Sequence, residues 1–130
     1  MGDYYGYKVR DQLYRGEDEY FRNNSHVAGM AAEDGTIIFN PYSRGVNFDA
    51  VGKNEAARLW MRENNVEPKF NLTDAQKEAF RGTEYEKDEA ALKHSIMARI
   101  ISGDPSAGQI TPMQKTWADW LADNLSKRQR

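Results

Sequence analysis

One segment of this chain is incompatible with a wholly helical fold, and it sets the fold class. Residues 26–42, HVAGMAAEDGTIIFNPY, place Asp34-Gly35 between two short apolar runs, and Asp-Gly is a preferred pair for a two-residue turn with positive φ at both positions. Residues 36–39 are β-branched and aromatic, as a strand requires, and Pro41 ends the run because proline lacks a backbone donor. The segment predicts one β-hairpin over about residues 27–40.

The remainder of the chain has the apolar spacing of helices, for example at Leu92, Ile96 and Ile100. Three threonines are each followed three residues later by Gln or Glu, the pattern of a capping box: Thr73, Thr83 and Thr111. Asp49 is a candidate N-cap, and Gly103 fits the left-handed position past a helix end. We expect five helices, near residues 8–21, 49–64, 74–81, 87–102 and 112–126.

The predicted fold is therefore α+β and predominantly α-helical, with about five helices and one β-hairpin. At 130 residues the chain suits a single globular domain, placed at 8–130, with residues 1–7 as a flexible or docking arm. The apolar stripes predict a core that contains Leu13, Ile38, Leu59, Trp60, Leu92, Ile96, Ile100, Trp117 and Leu121.

Composition excludes several classes of site. Because the chain has no cysteine, disulfides, thiolate nucleophiles and Cys-bearing zinc sites are ruled out. A net charge of −2 disfavours a dedicated nucleic-acid binder, although the basic tail with Lys127, Arg128 and Arg130 keeps that alternative open. No apolar run reaches about 18 residues and the first residues are polar, so we expect no membrane association and no signal peptide. The expected location is cytoplasmic.

A hydrolase-like site is the first alternative, and it would lie at the hairpin around His26, with Glu33 and Glu55 as carboxylates. A His–carboxylate pair can act as a general base or hold a metal, although His26 can equally cap the strand or the preceding helix. Glu55 opens a helix after the hairpin, as in the His-Glu-x-x-His motif of zinc proteases. Asn54 and Arg58 occupy the two ligand positions of that motif, so it cannot bind zinc there.

No complete set of nucleophile, base and orienting group appears, which favours a protein that is not an enzyme and predicts no catalytic residue, metal or cofactor. The loop at residues 102–108 lacks the Gly-Lys-Ser/Thr ending of a phosphate-binding loop and is interpreted as a helix C-cap and turn. His94 is interpreted as a surface helix residue.

Large aromatic residues are the remaining candidates for function. Tyr4, Tyr5 and Tyr7 lie in the arm without helical spacing, and Trp117 and Trp120 are neighbours on one helix surface. Such side chains either complete the core or anchor an interface, since Trp and Tyr are enriched among binding hot spots. We predict an interface that contains these five residues, whose partners are other protein chains.

Five segments also carry a resemblance to a known group of proteins: 26–30 (HVAGM), 34–35 (DG), 40–43 (NPYS), 54–58 (NEAAR) and 102–106 (SGDPS). Taken together they resemble small uncharacterised proteins encoded in tailed-bacteriophage and related bacterial genomes. The resemblance implies a bacteriophage structural or virion-associated protein, located in the host cytoplasm or the virion, and brings no functional residues with it. The sequence thus favours a small protein-binding or assembly component.

Overall fold

The computed structural model describes residues 3–128, which form an α+β fold that is 51% helical and confirms the predicted class. Within these residues there are five α-helices: α1 (Arg15–Asn23), α2 (Phe48–Glu63), α3 (Asp74–Ala79), α4 (Glu89–Ser102) and α5 (Pro112–Lys127). Two short antiparallel pairs join β1 (Asp3–Tyr4) to β2 (Tyr7–Lys8) and β3 (Gly29–Ala31) to β4 (Ile37–Phe39). Met1, Gly2, Gln129 and Arg130 lie outside the described residues.

Helix α2 is the centre of the fold, because it packs against α4, α5 and both strand pairs. Its inner face combines small residues, Ala56 and Ala57, with the larger Leu59 and Met61, all of which are buried. Small side chains allow a neighbouring helix to approach closely, and Ile96 and Met97 of α4 fill the space opposite. The first half of α2 lies beside the start of β3 and the end of α4.

The predicted hairpin is present, but its turn differs from the prediction. Ala31 pairs with Ile37, and the amide of Ala32 donates to the Thr36 carbonyl at 2.8 Å, which leaves a three-residue loop. Only Gly35 in this loop has a positive φ, of 83°. Asp34 instead directs its carboxylate back to accept the Thr36 amide at 3.1 Å, a contact that stabilises the three-residue form.

The predicted helix at 8–21 was wrong in its first half, since α1 begins only at Arg15. Val9 forms an isolated parallel bridge with Ile37, and the Arg10 amide donates to the Ile37 carbonyl at 2.9 Å. Residues 9–10 extend the hairpin along β4. They can do so because Ile37 of β4 is fully buried and the backbone of β4 has a free edge at this residue. The apolar spacing of Val9 and Leu13 did not distinguish a helix from an extended segment with one buried side.

Helix caps were predicted correctly at two of the three threonines. Thr73 and Thr111 each accept the amide of the Gln three residues later, and that Gln accepts the threonine amide in return. Thr83 does not cap a helix: its hydroxyl donates to the Phe80 carbonyl within a turn, and Asp88 caps α4. Likewise Asn47, not Asp49, caps α2. Gly103 ends α4 in the left-handed region, with φ of 73°, as predicted.

The predicted core is confirmed for five residues, Ile38, Leu59, Leu92, Ile96 and Leu121, which are fully buried. The other four are partly buried at the margin of the core: Leu13, Trp60, Ile100 and Trp117. Three residues outside the predicted set are fully buried in the interior: Phe21, Ile37 and Met97. Among the helices of residues 3–128, none is both long and apolar enough to cross a bilayer.

Candidate functional site

The three residues of the hydrolase hypothesis do not form one site. Glu33 lies exposed on the hairpin loop and lines a shallow cavity beside Arg10 and Glu17. Glu55 lines a different cavity, and exposed His26, in the loop between α1 and β3, lines neither. Within residues 3–128, no group of three or more His, Asp or Glu side chains is arranged to hold a metal ion.

The cavity beside Glu55 has a volume of about 470 Å³ and lies where α2, the start of β3 and the end of α4 meet. We call it the Glu55 pocket. Its walls include backbone and small side chains, among them Ala28, Gly29, Val51 and Pro105. Four charged groups also line it: Glu55, Arg58, Arg99 and Asp104. Three segments singled out in the sequence, 26–30, 54–58 and 102–106, therefore contribute to one surface.

Glu55 is the unusual group in this pocket, because it is a carboxylic acid only 9% exposed. No described residue forms a hydrogen bond with its carboxyl group, and the nearest cation, Arg58 Nε, lies 3.8 Å from Oε1. Burial raises the pKa of Glu55, and the charge of Arg58 only partly opposes this shift. Burial therefore disfavours the charged carboxylate at this position more than at an exposed glutamate.

Two arginines are held side by side by one buried hydroxyl. Ser95 Oγ accepts from Nη2 of Arg58 at 3.2 Å and from Nε of Arg99 at 3.0 Å. Asn54 Oδ1 fixes Arg58 through Nε at 2.7 Å, and Arg99 Nη1 donates to Asp104 Oδ2 at 3.3 Å. Because each side chain has a second anchor, the two guanidinium groups are preorganised at the pocket wall.

Asp104 neutralises one of these two cations. Burial alone would raise its pKa, but hydrogen bonds from Ser106 and the charge of Arg99 hold the pKa of Asp104 below its usual value. Asp104 is thus ionised at neutral pH. The pocket therefore holds two guanidinium groups and the Asp104 carboxylate, and Glu55 adds a negative charge less readily than an exposed glutamate does.

The raised pKa of Glu55 has a consequence for stability. Because the folded-state pKa lies above the unfolded value, 4.5, the carboxyl group costs stability that accumulates as pH rises from 4.5 to the raised pKa and is fully present above it. We expect Glu55→Gln to leave stability unchanged at pH 4 and to raise it at pH 8, measured by urea unfolding at both. Glu84→Gln, at an exposed position, should change neither value. Equal stability of Glu55→Gln and wild type at pH 8 would contradict the burial argument.

The tyrosines of the predicted interface contact their own chain. Tyr7 is buried, its hydroxyl donates to Glu63, and the Arg128 guanidinium lies 3.7 Å from its ring centroid. Burial and the nearby Glu63 raise the pKa of Tyr7. The Tyr4 ring packs directly against Gly52. A Cβ atom added at position 52 would lie 2.3 Å from the ring, which is too close for two carbon atoms. Tyr4 and Tyr5 are partly buried against the core, so an interface role for these tyrosines stays a prediction.

All three tryptophans of the chain form one surface cluster, which we call the tryptophan cluster: Trp60, Trp117 and Trp120. The Trp120 ring lies 5.5 Å from that of Trp60 and 5.6 Å from that of Trp117, both edge to face. Trp120 is 43% exposed. A mainly apolar cavity of about 430 Å³ adjoins it, lined by Asn64, Val66, Glu67, Thr116, Trp117 and Trp120.

The basic tail is engaged within the molecule as far as it is described. Lys127 Nζ pairs with Asp123 at 3.0 Å, and Arg128 Nε donates to the Tyr5 carbonyl at 3.1 Å. Arg130 lies outside the described residues. His94 similarly contacts the Ala90 and Val66 carbonyls at 2.8 and 2.6 Å.

Comparison of the chain with protein-family models, curated proteins and solved structures gave no match.

Sequence reasoning selected Glu55 but did not identify Ser95, Arg99 or Asp104 as its neighbours. One signal was present: Glu55 lies one turn before Leu59 on the same face of its helix, and Leu59 was predicted to be in the core. The spacing of Ser95 and Arg99, four residues apart on α4, was a second signal. Their convergence depends on the packing of α2 against α4, which the sequence did not reveal.

Proposed function

We propose that the protein acts by binding another protein chain, with the tryptophan cluster as the contact surface. The observation that carries this proposal is the exposure of Trp120 beside an apolar cavity. Tryptophan at the centre of a surface pocket is the commonest kind of binding hot spot, because a large rigid ring loses little conformational entropy when it is covered. Trp60 and Trp117 hold the exposed ring in place before any partner arrives.

The lining of the cavity indicates the chemistry of the partner. Its walls are apolar at Val66, Trp117 and Trp120, and its one charged lining residue is Glu67. Glu67 forms no ion pair within residues 3–128, whereas Lys115 and Lys127 of α5 are each paired with an aspartate of the same helix at 3.0 Å. A partner segment with an apolar side chain beside a basic one would therefore complement the surface.

Two other roles have less support. The contacts of Lys127 with Asp123 and of Arg128 with Tyr7 favour a protein partner over a nucleic acid, because each cation already has a counterpart. A role in a bacteriophage particle remains a proposal that follows from the sequence resemblance alone. A hydrolase centred on His26 would need Glu33 or Glu55 beside it, and these residues line separate cavities.

Replacement of Trp120 by alanine is the decisive test of the proposal. The purified chain is first examined by light scattering, and a partner retained from the native cell is then titrated against it by calorimetry. We expect Trp120→Ala to weaken this binding by about 2 kcal/mol, or roughly 30-fold, with the fold retained. If the partner is a second copy, the same substitution should dissociate the oligomer.

Tyr20→Ala is the matched control, since Tyr20 on α1 is 44% exposed and lies outside the cavity lining. It should bind as the wild type does. Equal affinity of Trp120→Ala and Tyr20→Ala would contradict the proposal, as would a monomeric chain that retains no protein.

A further inference from the structure

We infer that the Glu55 pocket is a binding site for a small organic molecule that carries an oxyanion group, with Arg58 and Arg99 as its receptors. This site goes beyond the proposed protein contact, because the Glu55 pocket and the cavity at the tryptophan cluster have no lining residue in common. It rests on three features: a buried carboxyl group that forms no hydrogen bond, two neighbouring guanidinium groups and an apolar wall.

The first feature is Glu55 itself. Carboxyl groups that serve only the fold are exposed, or are hydrogen-bonded when they are buried. Glu55 is neither, because it is 9% exposed and has no hydrogen-bond partner in residues 3–128. Within this part of the chain, every fully enclosed side-chain oxygen has a hydrogen-bond partner, so the carboxyl oxygens of Glu55 are open to the pocket. A molecule bound in the pocket can form a hydrogen bond with them.

The second feature is the donor capacity of the arginines. Arg58 uses Nε and Nη2 for Asn54 and Ser95, which leaves Nη1 without a partner among the described residues. Arg99 uses Nε and Nη1 for Ser95, Asp104 and Ser106, which leaves Nη2. Both side chains line the pocket and are partly exposed, at 27% and 22%. Arginine donors recognise carboxylate and phosphate oxygens through paired, charge-assisted hydrogen bonds.

The free arginine donors favour an anion over a cation. The charged groups that face Glu55 are Arg58 on its own helix, Arg99 on α4 and Asp104 in the turn that follows α4. Asp104 pairs with Arg99 at 3.3 Å, whereas Glu55 lies 3.8 Å from Arg58 and forms no hydrogen bond with it. An oxyanion would accept charge-assisted hydrogen bonds from Arg58, and Glu55 in its protonated form could donate one to it. Ala28, Val51 and Pro105 would contact the organic part.

The test uses the full-length chain and three defined probes at millimolar concentration: acetate, inorganic phosphate and methylammonium. Two-dimensional NMR follows the backbone amides and the arginine Nε–H groups. We expect saturable binding of an oxyanion, with shifts confined to Glu55, Arg58, Arg99 and residues 102–105. Acetate and phosphate distinguish a carboxylate ligand from a phosphate ligand. Binding of methylammonium in place of both anions would overturn the inference.

Arg58→Gln removes one receptor and should weaken oxyanion binding by about tenfold or more. The matched control is Arg81→Gln, because Arg81 is an exposed arginine paired with Glu78 at 2.7 Å and lines a different cavity. It should leave the affinity unchanged. Glu55→Gln should bind the anion at pH 8 at least as tightly as the wild type does at the same pH, since glutamine keeps a donor and cannot become negatively charged.

Unchanged affinity of Arg58→Gln, or the absence of saturable shifts with either anion, would overturn the inference. If Arg58→Gln does not fold, the arginine Nε–H shifts of the wild-type chain decide the question, because they report contact with each guanidinium group directly.

Discussion

Replacement of Asn40 by aspartate is expected to destabilise the protein by about 4 kcal/mol, or to prevent folding altogether. Asn40 is fully buried, and its amide nitrogen donates to the carbonyls of Val27, Phe21 and Asn24 at 2.6, 3.2 and 3.2 Å. An aspartate would direct a carboxylate oxygen at these three carbonyl oxygens. Urea unfolding followed by circular dichroism measures the loss.

A smaller loss is expected for Asn40→Ala, because alanine removes the donor without adding a buried charge. Asn124→Asp is the matched control: Asn124 donates to the Trp120 carbonyl at 2.9 Å, but on the exposed face of α5. It should change stability by less than about 1 kcal/mol. An Asn40→Asp protein as stable as Asn124→Asp would show that the buried amide does not hold these segments together.

The role of Asn40 also explains how the hairpin is attached to the helical body. Its three acceptors belong to the end of α1 and to the loop that leads into β3, while its Oδ1 accepts the Tyr42 amide at 2.8 Å. One side chain thus joins segments on both sides of the hairpin. The start of β3, which forms one wall of the Glu55 pocket, is positioned by this junction.

The elements that the sequence predicted well are those whose signals are local. Thr73 and Thr111 cap helices because the hydroxyl and the Gln side chain lie within one turn of each other, so no distant contact decides the outcome. The stripe of Leu92 and Ile96 specifies a buried helix face for the same reason. Gly103 follows from the backbone alone, since its φ of 73° favours glycine.

The features that escaped prediction depend on contacts between distant segments. Val9 is extended because Ile37 offers a strand edge, and no residue near Val9 encodes that partner. The N-terminal segment turns at Tyr5 and Gly6, which have φ of 54° and 83°. This turn is stabilised by a distant contact, because it allows the Tyr4 ring to pack on Gly52. Thr83 matched the capping-box pattern, yet its hydroxyl donates to the Phe80 carbonyl instead of capping a helix.

The candidate site shows the same division. The sequence predicted Glu55 and Arg58 as a pair on one helix. It did not predict their environment, because Arg99 and Asp104 lie more than 40 residues away in the sequence. The zinc-protease motif was excluded at this position because Asn54 and Arg58 occupy its two ligand positions. The arrangement that the structure has instead is a buried acid beside two arginines, and it forms only because α2 packs against α4.

The largest coupled effect is expected at a pair of buried glutamines that joins α3 to α5. Gln76 and Gln114 each donate from Nε2 to the other's Oε1 at 2.8 Å, and each also completes the capping box of its own helix. Gln114 additionally donates to the Asn71 carbonyl at 3.0 Å. Helix α3 has only six residues and is too short to be stable alone, so this contact holds it in place.

We expect Gln114→Met to cost about 3 kcal/mol, because Gln76 loses both hydrogen bonds to Gln114, the Asn71 carbonyl loses its donor, and α5 loses its capping box. Gln76→Met should cost a similar amount. In the double variant both polar groups are absent together, so its loss should be smaller than the two single losses combined by about 1–3 kcal/mol. Gln109→Met, at an exposed position, serves as the control. Strictly additive losses in urea unfolding would mean that the two amides are stabilised separately, and that α3 is held by its apolar contacts instead.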